Sequence, residues 1–362
     1  MTVRRKKSQR AATLADVGRE AGVSAMAVSA ALNETRTSAR ISTETRAKIL
    51  EAAARLGYRP NIAARSLVKR RMNTLGVSVV WEGEELNNYF VEIFTGIIEA
   101  ATRHAQNTTV FTFHNWGDEM ERVRAACDGR IDGMVMVAPV FTKEAAARLP
   151  HHIPFVALHA NTEAEGIINI ESDEERGSRD MVTSLIELGH RRIMHVSGAR
   201  GLVGAERRIN GYQRALKEAG IAADPDMLLE ANFTASEGHR SMLGWMDAHK
   251  GRPLPDAIFC ANDAIAMGCI EALAAAGLRV PDDVSVCGFD DTIAARTTVP
   301  QLATVRQPLK AMGARAVEIL MHRIDAMNGK ATDTSHSPIV FDTTLVMRGS
   351  VARARAKEII AV

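Results

Sequence analysis

From Asn73 onwards, short apolar runs alternate with longer stretches in which apolar residues recur every three or four positions. The short runs have the length of buried strands, and the longer stretches have that of amphipathic helices. The runs that predict strands are Leu75–Trp81, Thr109–Phe113, Gly133–Ala138, Phe155–Leu158, Ile193–Ser197, Ala257–Ala261 and Val284–Phe289. The stretches that predict helices are Phe90–His104, Gly177–Leu188, Ile209–Ala219, Glu237–Asp247 and Asp263–Ala276. This alternation predicts parallel sheets with helices on both faces, and about 270 residues are enough for two such lobes.

The start of the chain shows helical periodicity only, divided by capping residues and glycines. Thr13 can cap a first helix that ends at Gly22, and Ser24 can cap a second helix. A third helix can follow Ser42 and end at Gly57. The side chains expected to form one small core are Leu14, Val17, Ala21, Val28, Leu32, Ile49, Ala53 and Leu56. Two short helices joined by a tight glycine turn have the spacing of a helix-turn-helix, whose second helix can enter the major groove of DNA.

Charge separates the same two regions. Residues 1–71 carry 16 Lys and Arg against 5 Asp and Glu, a net charge of +11. Because the whole chain has a net charge of +2, the remainder carries −9. A small basic region joined to a large acidic one is typical of a nucleic-acid-binding domain fused to a second domain. A solvated basic tail would have the same charge, but the helical pattern argues against a tail.

Several classes of protein are not expected from the composition. The chain is 46% hydrophobic and 24% charged, as folded proteins are. The basic residues at its start are not followed by an apolar run, so a secretory signal is not expected, and no stretch has the ~18 uninterrupted apolar residues of a membrane span. Four cysteines without CxxC spacing predict buried free thiols in a reducing compartment, and therefore a cytoplasmic protein: Cys127, Cys260, Cys269 and Cys287.

Catalytic and cofactor motifs are also missing from the sequence. Gly198, Gly201 and Gly204 form a glycine-rich turn after a strand, but they do not spell GxGxxG and no Gly-Lys-Ser/Thr follows them. There is no GxSxG, no HExxH and no nucleophile with a base at fixed spacing. We expect no catalytic residue, no metal site and no cofactor, which disfavours an α/β enzyme with a basic N-terminal extension.

The sequence resembles the lactose/galactose repressor family of bacterial transcription regulators. The segments that carry the resemblance are Thr13–Val17, Ala21–Ser24, Val28–Ser29, Leu32–Asn33, Leu56–Asn61 and Ala64–Leu67, and the match continues to about residue 350. The resemblance implies a small all-α helix-turn-helix DNA-binding domain plus an α/β two-lobed, doubly wound domain like the periplasmic binding proteins.

The implied domains are residues 1–60 for DNA binding, 61–71 for a hinge helix and linker, 72–350 for effector binding and dimerisation, and 352–362 for a tail. The N-lobe would span about 72–171 and 304–341, and the C-lobe about 172–303 and 342–351. The chain would cross between the lobes near Glu171, Thr304 and Phe341.

The resemblance also implies a set of DNA contacts, to base edges and backbone from the second helix and to phosphates from the residues around it. Leu67, on a short helix over Ile62–Val68, would enter the minor groove and kink the duplex. Leu67 could instead make an ordinary linker contact, and Tyr58 could pack on the third helix. The complete set is Thr13, Ser24, Ala25, Met26, Ser29, Ala30, Asn33, Arg40, Tyr58, Asn61, Ala64 and Leu67.

One position in the second helix departs from the family. Many relatives carry an arginine where Ala30 stands, and arginine forks onto O6 and N7 of guanine. Ala30 cannot donate a hydrogen bond, whereas Met26 can touch thymine methyl groups. We therefore expect a weaker demand for guanine at that step, unless Arg36 or Arg40 in the following loop makes the contact.

Ligands of open α/β sheets bind beyond the carboxyl ends of the strands. The side chains that the pattern places there are Tyr89, Phe90, Pro139, His159, Arg208, Phe233, Asn262 and Asp290. Arg208 is expected to open the helix before Gly211. By resemblance, Arg208, Asn262 and Asp290 take effector-binding positions, and Phe233 takes an aromatic position beside the ligand. A guanidinium, an amide and a carboxylate that converge in a cleft can bind paired hydroxyls, which favours a carbohydrate or sugar acid over a purine.

Each of these residues has a plainer alternative. Asp290 and Asn262 could cap the helices that follow them. Arg208 could lie on the surface, where most arginines lie. His159 could be a loop residue with local hydrogen bonds, and the aromatic pair that follows the first strand could belong to the core or to an interface.

Together these features predict a transcription regulator, more specifically a repressor, that binds a two-fold symmetric DNA operator and responds to a small-molecule effector between its lobes. A single small DNA-binding domain makes few contacts with DNA, so we expect two of them in a homodimer. The segment Ala352–Val362 has no leucine heptads, which argues against a tetramer. The main rival is a two-lobed small-molecule carrier or receptor that does not bind DNA. No membrane partner is expected.

Overall fold

The computed structural model describes residues 11–33, 41–59, 71–80, 87–114, 120–330, 332 and 338–354. The chain folds into two compact units, Met1–Met72 and Asn73–Val362. The boundary falls where the apolar pattern changes from purely helical to alternating.

The N-terminal unit contains the helices α1 (Leu14–Ala21), α2 (Ala25–Asn33) and α3 (Thr43–Arg55). Its first helix begins with a complete capping box. The Thr13 hydroxyl accepts from the Asp16 N–H at 3.3 Å, and the Asp16 carboxylate accepts from the Thr13 N–H at 3.0 Å. Gly22 ends the helix at a φ of +68°, in the left-handed region that favours glycine. These local signals place α1 and α2 where the sequence predicts them.

One buried cluster holds the three helices together, formed by Val17, Val28, Ala31, Ile49, Ala52 and Ala53. Leu56, which was predicted to join this core, is an exception. It lies at the C-cap of α3 and 37% of its surface is exposed, because the helix ends one residue earlier and Ala52 faces the core instead. Leu56 is therefore a surface residue of the described structure.

Two six-stranded sheets form the C-terminal unit, one in each lobe. The N-lobe strands are β1 (Thr74–Val80), β2 (Asn107–Phe113), β3 (Gly133–Val137), β4 (Phe155–Leu158), β5 (Ile167–Ser172) and β11 (Ile339–Phe341). The C-lobe strands are β6 (Ile193–Ser197), β7 (Leu228–Glu230), β8 (Ala257–Cys260), β9 (Ser285–Asp290), β10 (Ala303–Arg306) and β12 (Thr344–Val346). Their orders are β2-β1-β3-β4-β5-β11 and β7-β6-β8-β9-β10-β12, and only β12 runs antiparallel to its neighbour. Both orders are those of doubly wound sheets, which confirms the predicted fold class.

Helices cover both sheets, and a short 3-10 turn, Pro225–Met227, precedes β7. They are α4 (Asn88–Arg103), α5 (Met120–Ala126), α6 (Lys143–Ala146), α7 (Glu174–Glu187), α8 (Val203–Glu218), α9 (Ala235–Ala248), α10 (Asp263–Ala275), α11 (Ile293–Thr297) and α12 (Leu309–Met327). In the part of the chain that is described, no helix combines the length and apolar character needed to cross a membrane. The four cysteines are buried free thiols.

The chain passes between the lobes three times, after Ser172, after Arg306 and after Phe341. The second passage follows β10, so Thr304, near which it was expected, lies inside a C-lobe strand. Each passage joins the carboxyl end of a strand in one lobe to the other lobe. The ends at which ligands of such sheets bind therefore face each other across the passages.

Candidate functional site

The second helix of the N-terminal unit presents small and apolar side chains to solvent. Met26 is 83% exposed, Ala25 is exposed and Ser29 is half-buried. The Ser24 hydroxyl accepts from the Ala27 N–H at 3.2 Å and so caps this helix. Ala30 is different from the expectation, because only 8% of it is exposed and its methyl group packs inside the unit. Ala30 therefore does not offer a side chain to a base edge.

Of the other residues predicted to contact DNA, two take part in the folding of the N-terminal unit itself and several lie outside the described residues. Thr13 forms part of the capping box of α1. Tyr58 is half-buried and packs against the core of the three helices, which agrees with the alternative that it has a packing role. Asn33 is the last residue of α2. The positions outside the described residues are Arg40, Asn61, Ala64 and Leu67, together with the segment Ile62–Val68 for which a short helix was predicted.

A buried ion pair lies at the centre of the C-terminal unit. Arg208 Nη2 donates to Glu174 Oε1 at 2.7 Å, and Nη1 donates to the carbonyl of Ala261. Arg208 is 6% exposed and Glu174 2% exposed. The guanidinium also lies over the ring of Phe289, with its carbon 4.2 Å from the ring centre. Arg208 sits in the middle of α8 and not at its start, because that helix begins at Val203.

Phe233 and Asn262 meet beside this pair. The Phe233 ring centre is 5.8 Å from the Arg208 guanidinium carbon, and its backbone has a φ of +52°. The Phe233 carbonyl accepts from the Asn262 amide at 3.0 Å and from the Asn87 amide of the N-lobe at 3.1 Å. Asn262 is also the N-cap of α10, because its Oδ1 accepts from the Ile265 N–H at 2.8 Å. Asn262 thus combines the capping role with a place in the cleft.

Asp290 ends strand β9 and faces the passage between the lobes. It is 3% exposed and has a φ of +111°, a backbone conformation that costs energy in any residue except glycine. Gln307 Nε2 donates to its carboxylate at 2.6 Å, and the Gln307 Oε1 accepts from the hydroxyl of Ser172 in the N-lobe. A chain of hydrogen bonds therefore connects the two lobes through Gln307. Asp290 makes no helix cap.

The N-lobe contributes an aromatic and imidazole cluster. The Tyr89 hydroxyl lies 2.6 Å from His159 Nδ1, and Tyr89 meets Phe90 edge-on with ring centres 5.3 Å apart. His159 Nε2 is buried and has no partner among the described residues. Pro139 is buried and its carbonyl accepts from the backbone of the loop after β4. The structure thus places Tyr89 and His159 together, close enough to the C-lobe for their pKa values to respond to its charges.

Burial changes the charge of these groups. Burial raises the pKa of Asp290 to about 8, opposed by Arg208 and reinforced by Asp263. Burial lowers the pKa of His159 to about 4, although Glu174 attracts the proton. Burial also acts to raise the pKa of Glu174, but Arg208 outweighs it and holds that pKa below its usual value. At neutral pH the cleft therefore contains a neutral His159 and an ionised Glu174, and its Asp290 holds a proton far more readily than an ordinary aspartate.

Further contacts join the lobes around this centre. They are Arg207 with Glu171 at 3.0 Å, Asn161 Oδ1 with the backbone N–H of Val203 at 2.6 Å, and Arg296 with Glu92 at 3.0 Å. Glu174, Gln307 and Asn161 were not among the predicted site residues, and Glu171 was predicted only as a position near a crossing between the lobes. For Glu174 the available signal was an acidic run after a strand, which also fits the first turn of a helix.

Both units of the chain are similar to known proteins. The model of the LacI family of bacterial regulatory proteins matches residues 13–61, and that of a periplasmic binding protein-like domain matches residues 182–351. The HTH-type transcriptional repressor PurR of Vibrio atlanticus (strain LGP32) is 33% identical over 340 residues, which cover 92% of this chain and 98% of that protein.

Solved structures agree over the same span. A crystal structure of the lac repressor dimer bound to operator and the anti-inducer ONPF is 26% identical with a TM-score of 0.79, covering 95% of this chain and 100% of that one. The transcriptional regulator CelR in complex with cellobiose is 27% identical with a TM-score of 0.66, covering 94% and 99%. This chain therefore combines a match to the LacI family model, two α/β lobes and similarity to a repressor over 92% of its length. The chain belongs to the LacI family of bacterial regulatory proteins.

Proposed function

We propose that the chain is a transcriptional repressor, not an enzyme, that binds a two-fold symmetric DNA operator as a homodimer. The observation that carries this proposal is that the similarity to a repressor extends over more than nine-tenths of the chain and includes both units. A carrier or receptor with the same lobes does not need a DNA-binding domain, whereas this chain has a three-helix unit with an exposed Met26 on its second helix. That unit belongs to a region with a net charge of +11, which suits a phosphate backbone.

A small-molecule effector in the cleft would control operator affinity. Arg208 and Asp290 come from the C-lobe, and Tyr89 and His159 come from the N-lobe, so a ligand that touches both sets favours one angle between the lobes. A change in that angle would alter the spacing of the two hinge segments of a dimer. The size of the effect is limited by the difference in affinity for the two states, and its sign decides between inducer and co-repressor.

The polar side chains of the cleft and the neighbouring Phe233 favour a carbohydrate as the effector. Hydroxyl groups need donors and acceptors in close alternation, which Arg208, Asn262 and Asp290 supply. The cellobiose complex of CelR supports the same class of ligand. A purine is the second candidate, for which the phenyl ring of Phe233 would provide the stacking surface.

Selection of binding sites from random DNA by the full-length protein tests operator binding. We expect enrichment of a two-fold symmetric site whose half-sites are about 34 Å apart or closer. Met26→Ala should reduce the free energy of binding to the enriched site by about 1 kcal/mol or more, because it removes an 83%-exposed side chain from α2. The matched control is Met327→Ala, which truncates a 51%-exposed methionine in the other unit. A lack of enrichment over random DNA would contradict the proposal.

Dimerisation is tested by a surface substitution in the C-lobe. Val299 is 96% exposed and follows α11, in which Ile293 is 49% exposed, so this side of the lobe presents apolar surface to a partner. We expect Val299→Lys to raise the dimer dissociation constant at least about tenfold, because an ammonium group would be buried without a partner. Val140→Lys, at a 42%-exposed valine of the N-lobe, is the control. Sedimentation that shows an intact dimer for the Val299 variant would place the interface elsewhere.

A further inference from the structure

The positive charges of the cleft are already neutralised by the protein's own carboxylates. Arg208 is paired with Glu174 at 2.7 Å, and Arg207 is paired with Glu171 at 3.0 Å and with Glu174 at 3.8 Å. Two arginines thus face two glutamates, and both glutamate side chains are at most 10% exposed. Little of either carboxylate can turn away to solvent when a ligand arrives.

Three further titratable side chains line the cleft beside these pairs, namely Asp290, His159 and Tyr89. Burial raises the pKa of Asp290 to about 8, which favours its uncharged form at neutral pH, and keeps His159 neutral. Burial, together with the nearby Asp290 and Glu174, keeps the phenol of Tyr89 protonated by raising its pKa. The described part of the cleft is therefore rich in hydrogen-bonding groups, and its two arginines are electrically balanced by two glutamates.

We propose that the cleft accepts uncharged effectors, and that Glu174 is the residue that excludes carboxylate-bearing ones by occupying Arg208. This inference rests on the proposed function, since it takes the cleft to be the effector site. It restricts the expected class of effectors from carbohydrates and sugar acids to uncharged carbohydrates.

The hydrogen bonds of Arg208 explain the selection. A carboxylate binds a guanidinium best through two parallel hydrogen bonds. Nη2 already donates to Glu174 and Nη1 to Ala261, so two-point binding of an incoming carboxylate would have to displace one of them. Arg208 Nε has no partner among the described residues, and one donor suits a hydroxyl or carbonyl oxygen. An uncharged ligand can use that donor without disturbing the ion pair, whereas an anion would also meet the charge of Glu174.

The test compares formate with formamide, its uncharged counterpart, on the full-length protein. Thermal unfolding is followed with sodium formate against sodium chloride at matched ionic strength. The wild type should gain nothing from formate beyond chloride. Glu174→Gln should be stabilised saturably by formate, by about 2–4 °C at about five times Kd, and not by formamide.

Two other variants complete the design. Glu171→Gln removes the nearer of the two carboxylates beside the more exposed Arg207 and leaves Glu174 at 3.8 Å, so it should also gain formate binding, but less than Glu174→Gln. This variant keeps the test decisive if the first one does not fold. Asp180→Asn is the control, because it removes one carboxylate from the surface pair with Arg179 and should behave like the wild type.

Three results would overturn the inference. The first is a wild type that formate stabilises as much as the Glu174 variant. The second is a pair of glutamate variants that respond no more than Asp180→Asn. The third is a wild type that D-gluconate stabilises more than D-glucose does. None of these measurements involves DNA, so failure of operator selection would refute the proposed function alone.

Discussion

Replacing Arg208 by leucine is expected to lower the free energy of unfolding of the C-terminal unit by about 3–5 kcal/mol, because it leaves the carboxylate of Glu174 buried without its partner. The loss comes from desolvation and not from the attraction between the two charges. Removal of both charges should therefore cost much less than removal of one. We expect the double variant Glu174→Leu, Arg208→Leu to recover most of the lost stability, since an apolar pair can replace a buried ion pair at little cost.

Urea unfolding of the wild type, both single variants and the double variant measures this interaction directly. The control is Arg214→Leu, which removes a 54%-exposed arginine paired with Glu218 on the same helix. A surface pair of this kind contributes under about 1 kcal/mol, so the control should unfold close to the wild type. If Arg208→Leu loses no more stability than Arg214→Leu, the pair is hydrated and the electrically balanced cleft described above does not exist.

The features that could be predicted from the sequence are those set by short-range chemistry. Thr13, Gly22 and Ser24 place the first two helices because caps and tight turns need particular residues at particular positions. The continuous apolar runs that predicted β4 and β6 match the strands residue for residue. These segments carry their own signal and need no distant partner.

The longest helix described, α12, was not predicted, because its apolar pattern reflects its packing against α4 and the sheet and not a single buried face. Its apolar residues recur over most of its circumference, as they do in a helix that is buried on several sides. It crosses α4 so closely that a Cβ atom on Gly96 would lie 2.0 Å from the Lys310 carbonyl oxygen, and one on Gly313 would lie 2.4 Å from that of Ile93. The two glycines that permit this crossing are far apart in the sequence, so no local pattern connects them.

The residues of the candidate cleft likewise fall into those that local sequence could predict and those that it could not. The rule that ligands bind at strand ends located Asp290 and Asn262, whose positions depend only on where β9 and β8 end. It could not identify Gln307, because that residue joins Ser172 to Asp290 across the two lobes and its role appears only when both are folded together. Glu174 was missed for a related reason, since its partner lies 34 residues away on another helix.

The stability of the C-terminal unit is expected to fall as the pH rises from about 6.5 to about 8. Below that range the buried His159 and His195, whose pKa values are lowered to about 4, act in the opposite direction and offset the two aspartates. Burial raises the pKa of Asp290 to about 8 and that of Asp263 to about 7, whereas both groups titrate near 3.9 in the unfolded chain. The folded state therefore binds more protons than the unfolded state over this range, so the free energy of unfolding decreases with pH. Each group contributes at most about 1.4 kcal/mol per pH unit, and above both folded pKa values the curve becomes flat.

Between pH 7 and pH 8 most of the slope belongs to Asp290, because Asp263, with the lower pKa of about 7, has already lost a large part of its proton occupancy there. Asp290→Asn removes the titration while keeping the shape of the side chain, and asparagine tolerates positive φ better than most residues. The variant should be less sensitive to pH in this interval than Asp247→Asn, a surface control whose aspartate is 76% exposed. Arg208, Asp263 and Glu174 face Asp290, so an unchanged slope in the variant would mean that Arg208 holds Asp290 ionised. The cleft would then carry a negative charge at neutral pH and would favour a cationic effector over an uncharged one.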